Sequence, residues 1–269
     1  MVSRAALLFM GLLLLVAPAE ALGQRSSGDG IAYPRRVRTF IGVYQEQKAP
    51  FSSQLVRMGL GDGLFLVGGR LGGLSYELEL AAGVRGEFDV AVSSFDFLVA
   101  DFIVGLPLRF RAGDLNGRVR LYHQSSHLGD DILLRDDARL GVDGAVDFEA
   151  IEAYLGYELG WMRPYAGAEY RFRRTPSEQD PSVLHAGMDV RFGLGRVSLI
   201  GGAHGWVVDN GLDPGGVAVR MGVEVHRSRL GWRGRPVRFL LEGSWGTPDA
   251  GRFQTLRRGQ VGFAIEVGR

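Results

Sequence analysis

Long stretches of this chain alternate apolar and polar residues with a period of two. The clearest begins at Leu74: Leu74, Tyr76, Leu78, Leu80, Ala82 and Val84 fall on one side, and Ser75, Glu77, Glu79, Gly83 and Arg85 on the other. Successive side chains of an extended strand point to opposite faces, so this period predicts β-strands. The same alternation recurs from Phe102 to Phe110, from Val217 to Val225 and from Val261 to Val267. The pattern predicts about twelve strands, near 54–61, 64–71, 74–86, 96–111, 115–126, 147–159, 163–173, 183–193, 196–207, 215–226, 236–246 and 258–268.

Such strands can bury their apolar face in the core of a soluble barrel or turn it toward lipid around a polar lumen. Three features favour lipid. Many strands approach or exceed the ~9–11 residues that cross an outer membrane. The opposite face carries both signs of charge, with Glu77, Glu79, Arg109, Arg118, Arg120, Asp189, Arg191, Glu224, Arg238 and Glu242. All four tryptophans sit near strand ends, Trp161 and Trp232 at one rim and Trp206 and Trp245 at the other, as an aromatic girdle requires. The expected fold is all-β, a transmembrane antiparallel up-and-down β-barrel of about twelve strands. An even count brings both ends to one side. With that side periplasmic, short turns at 71–73, 113–116 and 160–163 face inward and the longer connections near 87–95, 127–146, 174–182 and 208–214 face outward. A tight turn read at Gly61-Asp62-Gly63 breaks that order. Arg118 and Arg120 are expected to pair with Glu77 or Glu79 across the lumen.

The amino terminus changes the picture of compartment. Arg4, an apolar run from Ala5 to Ala17 and the small-x-small site Ala19-Glu20-Ala21 read as a cleaved secretory signal over residues 1–21. Residues 22–53 are largely polar and irregular and are expected to form a periplasmic lead-in or plug segment, leaving 54–269 for the barrel. The chain has no cysteine, which excludes disulfides and thiolate metal sites. A net charge of +1 implies no bulk attraction to nucleic acid. The expected location is the outer membrane of a Gram-negative-type bacterium. The carboxyl terminus fits less well, because Val267-Gly268-Arg269 lacks the aromatic residue with which such barrels usually end.

One strand interrupts its own pattern. From Arg118 onward, Val119 and Leu121 share a face with His123 and Ser125, so an apolar, lipid-directed side ends in a base and a hydroxyl two residues apart. His123-Gln124-Ser125 resembles the H-x-S motif of outer-membrane phospholipase A and of the lipid A 3-O-deacylase barrels. That resemblance implies an ester-cleaving site facing the bilayer, with Ser125 as nucleophile, His123 as base and an acidic or polar third residue. It implies membrane lipid or lipopolysaccharide as partner, and gating by a homodimer would be compatible with it. The longer run from His123 to Asp130, HQSSHLGD, is similar to an uncharacterised family of exported barrel-like proteins. Two carboxylates compete for the third role. Asp137 follows Ser125 by twelve residues, a spacing similar to the enzymes. Asp147 and Glu149 extrapolate onto the lipid face of the next strand, and Asp147 is favoured. Ser126-His127 departs from the Asn-Gly or Asn-Ala of the enzymes and puts their kind of oxyanion hole in doubt.

Other readings of the same residues stand beside this one. His123 and Ser125 can sit among lipid headgroups at the rim as structural groups, in a barrel that is a small channel or an envelope element and no enzyme. Metal binding by His123 and His127 with Asp130 or Asp131 requires the strand to end between the two histidines, since i and i+4 on a strand are about 13 Å apart. No resident cofactor is expected, but Asp130, Asp131, Asp136 and Asp137 form an acidic loop that is a candidate for Ca²⁺.

Overall fold

The computed structural model describes residues 30–47, 54–131, 146–208, 215–226, 235–247 and 257–268. Twelve strands follow one another: β1 (Thr39–Glu46), β2 (Gln54–Leu71), β3 (Leu74–Asp89), β4 (Asp96–Ala112), β5 (Leu115–Leu128), β6 (Val146–Tyr157), β7 (Met162–Thr175), β8 (Ser182–Leu194), β9 (Val197–Val208), β10 (Gly216–Val225), β11 (Val237–Gly246) and β12 (Arg258–Val267). Each pairs antiparallel with its sequence neighbours, and β1 closes on β12 with Thr39 opposite Val267. The ring is a closed barrel, so every strand has two partners and no sheet edge is left open along its pairing.

The strands are strongly tilted. A line drawn across the pairs from Arg70 of β2 passes Ser75, Arg111, Asn116, Gly156, Tyr165, Gly187, His204, Ala218, Ser244 and Gln260. It arrives at Glu46, the upper end of β1, having begun at the lower end of the adjacent strand. Such stagger is what closure of a barrel demands. Four lower turns are tight, and Gly72, Gly113, Gly160 and Gly195 take the positive φ that each needs.

Two strand assignments change, and the count of twelve survives. β1 lies inside the stretch 22–53 read as lead-in, with Ile41 and Val43 outward and Phe40 and Tyr44 buried in the lumen. The turn expected at Gly61-Asp62-Gly63 is the middle of one long strand, β2. The glycines there are inward-facing positions where other groups come close: a Cβ on Gly59 would lie 2.6 Å from the Phe40 ring, and one on Gly61 2.7 Å from Val37. They mark close approach and not reversal. With β2 continuous, that break in the order is gone, although the lower connection 226–236 between β10 and β11 is longer than the upper ones at 90–95 and 176–181.

The outward positions are apolar and exposed over most of the barrel, among them Leu106, Leu155, Met188, Met221, Leu241 and Phe263. The inward positions are buried and mix many charged groups with small apolar clusters, such as Tyr122 with Phe148 and Ile200 with Leu240. Trp161 stacks on Phe192 at the lower rim and Trp245 faces outward near the upper one. Trp206 instead turns into the lumen, where its indole N–H donates to the Thr247 carbonyl at 3.0 Å, so it belongs to no girdle. Trp232 lies outside the described residues.

Residues 30–38 enter the lumen as a strap and fill it. Ile31 N donates to Asp189 at 2.7 Å, Arg220 donates to the Ile31 carbonyl at 2.7 Å, and Arg120 donates to the Tyr33 hydroxyl at 2.9 Å. Arg35 binds Glu169 and Tyr122, Arg36 binds Glu266, and Arg38 reaches Glu242 at 2.6 Å. Barrel charges close the rest: Arg118 and Arg120 both pair with Glu152 from β6, where the expected partners were Glu77 or Glu79. Arg238 bridges Glu224 and Glu266. Burying this many ions is tolerable only because each finds opposite charge and hydrogen bonds at once. A cavity of about 140 Å³, lined by Tyr44, Arg57, Glu87 and Arg258 among others, remains in the lumen beside the strap.

Candidate functional site on the outer face

β5 carries Leu121, His123, Ser125 and His127 outward, and Tyr122, Gln124 and Ser126 into the lumen. The strand runs unbroken to Leu128, so His123 and His127 stand four residues apart on extended chain, too far for one ion. Asp131 is engaged elsewhere, accepting from the Phe97 N–H at 2.8 Å. β4 supplies an apolar flank, with Val104 opposite His123 and Phe102 opposite Ser125.

The other flank is polar. On β6, Glu149 stands opposite His123 and Asp147 opposite Ser125. The imidazole Nδ1 lies 3.3 Å from Glu149 Oε1, and Nε2 has no partner among the described residues. The acid that meets His123 is therefore Glu149. Asp147, favoured from sequence, shares the face but stands one pair higher, beside the serine. Asp137 falls outside the described residues. The side chains of His123 and Glu149 are 40% and 27% exposed, accessible from outside the wall yet partly covered by it. Ser125 makes no hydrogen bond among the described residues, so its hydroxyl is uncommitted.

A third strand extends the row. β7 pairs with β6 through Glu149 opposite Arg173, and Ala150 opposite Arg171, leaving Phe172 as an extra residue in a bulge. By plain alternation Arg173 would share the lumen side of Arg163, Glu169 and Arg171. The bulge turns it outward, and its Nε comes within 3.6 Å of Glu149 Oε2. Sequence parity hides this residue, and only a strand-length count against β6 could have exposed it.

Along the described strands, the outward side chains of His, Asp, Glu, Lys or Arg are Asp62 near the lower half of β2 and, near the upper ends of β5 to β7, His123, His127, Asp147, Glu149 and Arg173. One patch thus holds nearly all the ionisable chemistry of an apolar belt. The lumen offers a different cluster, Glu152, Glu169 and His185, whose ligand atoms approach within 4.8 Å of one another. It suits a cation poorly, because Glu152 is held by Arg118 and Arg120 and Glu169 by Arg35 and Arg171.

The profile of a protein of unknown function, DUF1207, matches residues 69–268. The chain belongs to that family. Among curated proteins no sequence matches it. Solved barrels do resemble the structure of this DUF1207 member. Outer membrane phospholipase A from Escherichia coli aligns over 91% of this chain and 95% of its own, at 15% identity and a TM-score of 0.59. The Salmonella typhi outer membrane phospholipase, a dimer with bound calcium, aligns over 91% and 94% at 13% identity and a TM-score of 0.61. LpxR from Salmonella typhimurium aligns over 86% and 100% at 12% identity and a TM-score of 0.41. At these identities the likeness to the phospholipases is one of fold: this is a closed, twelve-stranded, outer-membrane-type β-barrel.

Proposed function

We propose that the barrel hydrolyses an acyl ester of an outer-leaflet membrane lipid, with Ser125 as nucleophile, His123 as general base and Glu149 orienting the imidazole. The observation that carries this reading is the isolation of the patch. An ionisable row on a lipid-facing wall is costly to keep and needs a reason, and intramembrane polar groups are functional by default. The order of groups also suits the chemistry. A carboxylate at Nδ1 fixes the tautomer that leaves Nε2 free to accept a proton.

In the proposed reaction the Ser125 hydroxyl adds to the ester carbonyl while His123 Nε2 takes its proton. The tetrahedral intermediate collapses, the lipid alkoxide leaves with that proton, and an acyl-serine remains. Water, deprotonated by the same histidine, releases the fatty acid and restores the serine. Cα atoms two apart on a strand are about 7 Å from each other, so the two side chains must turn toward one another, and such contacts often tighten only when substrate binds. Asp147 lies beside the serine as a second carboxylate. Calcium and a second copy, both features of the Salmonella typhi phospholipase, are included in the test as additions.

The filled lumen favours this reading over a channel, because the strap and its ion pairs occupy the conducting path. The deciding experiment is fatty-acid release by the refolded, heat-modifiable barrel, with Ser125→Ala beside it and calcium present and absent. Release that disappears with Ser125 is expected. A folded barrel without serine-dependent release on diacyl phospholipid or lipid A would leave an envelope protein with a polar rim.

A further inference from the structure

Arg173 has more capacity than its surroundings use. It makes no hydrogen bond among the described residues, and its only ion pair is the 3.6 Å approach to Glu149. Its side chain is 77% exposed. A guanidinium offers five N–H donors in a planar fork that matches the oxygens of a phosphate. The Phe172 bulge is what turns this side chain from the lumen to the wall. Only β6 lies between it and β5, two strand spacings or about 10 Å, and a long side chain can shorten that toward the serine. In a phosphorylated acyl lipid the phosphate and the nearest ester carbonyl are only a few covalent bonds apart.

We infer that Arg173 is a specificity-determining residue that binds the phosphate of the lipid headgroup and so selects phosphate-bearing acyl lipids over neutral glycerides. The inference rests on the hydrolase reading for its consequence, though not for the binding itself. Two sources carry the same chemistry, a glycerophospholipid and a phosphorylated glycolipid. The pair with Glu149 has a second use, since a bound phosphate would draw Arg173 away from that carboxylate and leave it wholly to His123.

The test compares fatty-acid release from phosphatidylglycerol, diphosphorylated lipid A and diacylglycerol by the wild type, Arg173→Gln and Arg173→Lys. Native mass spectrometry of the same lipids retained by Ser125→Ala and by Ser125→Ala/Arg173→Gln runs alongside. The expected result is at least a tenfold preference for one phosphorylated lipid over diacylglycerol, lost in Arg173→Gln through a raised KM and partly kept in Arg173→Lys. Which phosphorylated lipid shows it names the source. Equal rates on all three lipids, unaltered by Arg173→Gln, overturn the inference while leaving the hydrolase intact. If the wild type releases nothing, the hydrolase reading fails and retention decides. Selective retention of a phosphorylated lipid that needs Arg173 then upholds the site, and indifferent retention sinks it.

Discussion

The lumen and the outer patch are built from the same residue types and use them in opposite ways. Inside, Arg118 and Arg120 converge on Glu152, all three nearly fully buried, and Tyr33 of the strap completes the cluster. Outside, His123, Glu149 and Arg173 form a single loose row with contacts of 3.3 and 3.6 Å, and Ser125 beside them is uncommitted. The lumen charges are paired with each other and with residues 30–38, although the Nε of Arg120 and both amide atoms of Gln124 make no hydrogen bond among the described residues. Ions locked in buried pairs have little to offer a substrate, whereas the outer groups are accessible to one.

That contrast can be broken in order of expected size. Ser125→Ala should lower ester hydrolysis on the order of 10⁶-fold, as loss of the nucleophile does in serine hydrolases, with no change in the temperature at which the barrel loses its heat-modifiable migration. Glu152→Ala should do the reverse. It strands two buried guanidinium groups and is expected to cost about 3–5 kcal/mol, read as a lower midpoint in urea unfolding, because an uncompensated buried charge is worse than none. An equal midpoint for Glu152→Ala and wild type would erase the distinction between the two regions. Glu149→Gln should reduce kcat roughly 100-fold, and Asp147→Asn by clearly less, because only Glu149 faces Nδ1 of His123. The reverse order would move the orienting role to Asp147. Smallest of all, Glu149→Ala should shift the unfolding midpoint by less than about 1 kcal/mol, the usual worth of a partly exposed ion pair.

Much of this contrast is legible in the sequence. His123 and Ser125 break an apolar face, and parity alone put Asp147 and Glu149 beside them. Which of those two meets the imidazole is not readable, since it depends on the register of β5 against β6, and a slip of two residues would set Asp147 opposite His123 instead. Arg173 was invisible for a related reason: one extra residue at Phe172 reverses its face, and no residue type announces that bulge. The glycines at 59, 61 and 63 suit a turn by sequence, because glycine signals both reversal and close approach. Only the presence of Phe40 and Val37 against them shows which. The strap is the plainest case. Residues 30–38 carry three arginines and a tyrosine without local periodicity, and their partners Glu152, Glu169, Glu242 and Glu266 lie more than a hundred positions away.

The sequence by itself determined ten of the strands and their two faces, and its sum of about twelve holds because β2 counted as two makes up for β1. Those follow from a period of two and from the lengths of apolar runs, which are local properties. It also determined that a base and a hydroxyl share the lipid side of one strand. The tertiary structure decided everything that depends on which strand residues stand level with one another: the carboxylate at His123, the outward turn of Arg173, and the strap that fills the lumen. Register and closure are set by the whole ring at once, through the tilt that lets twelve strands meet, and no single stretch of chain contains that information.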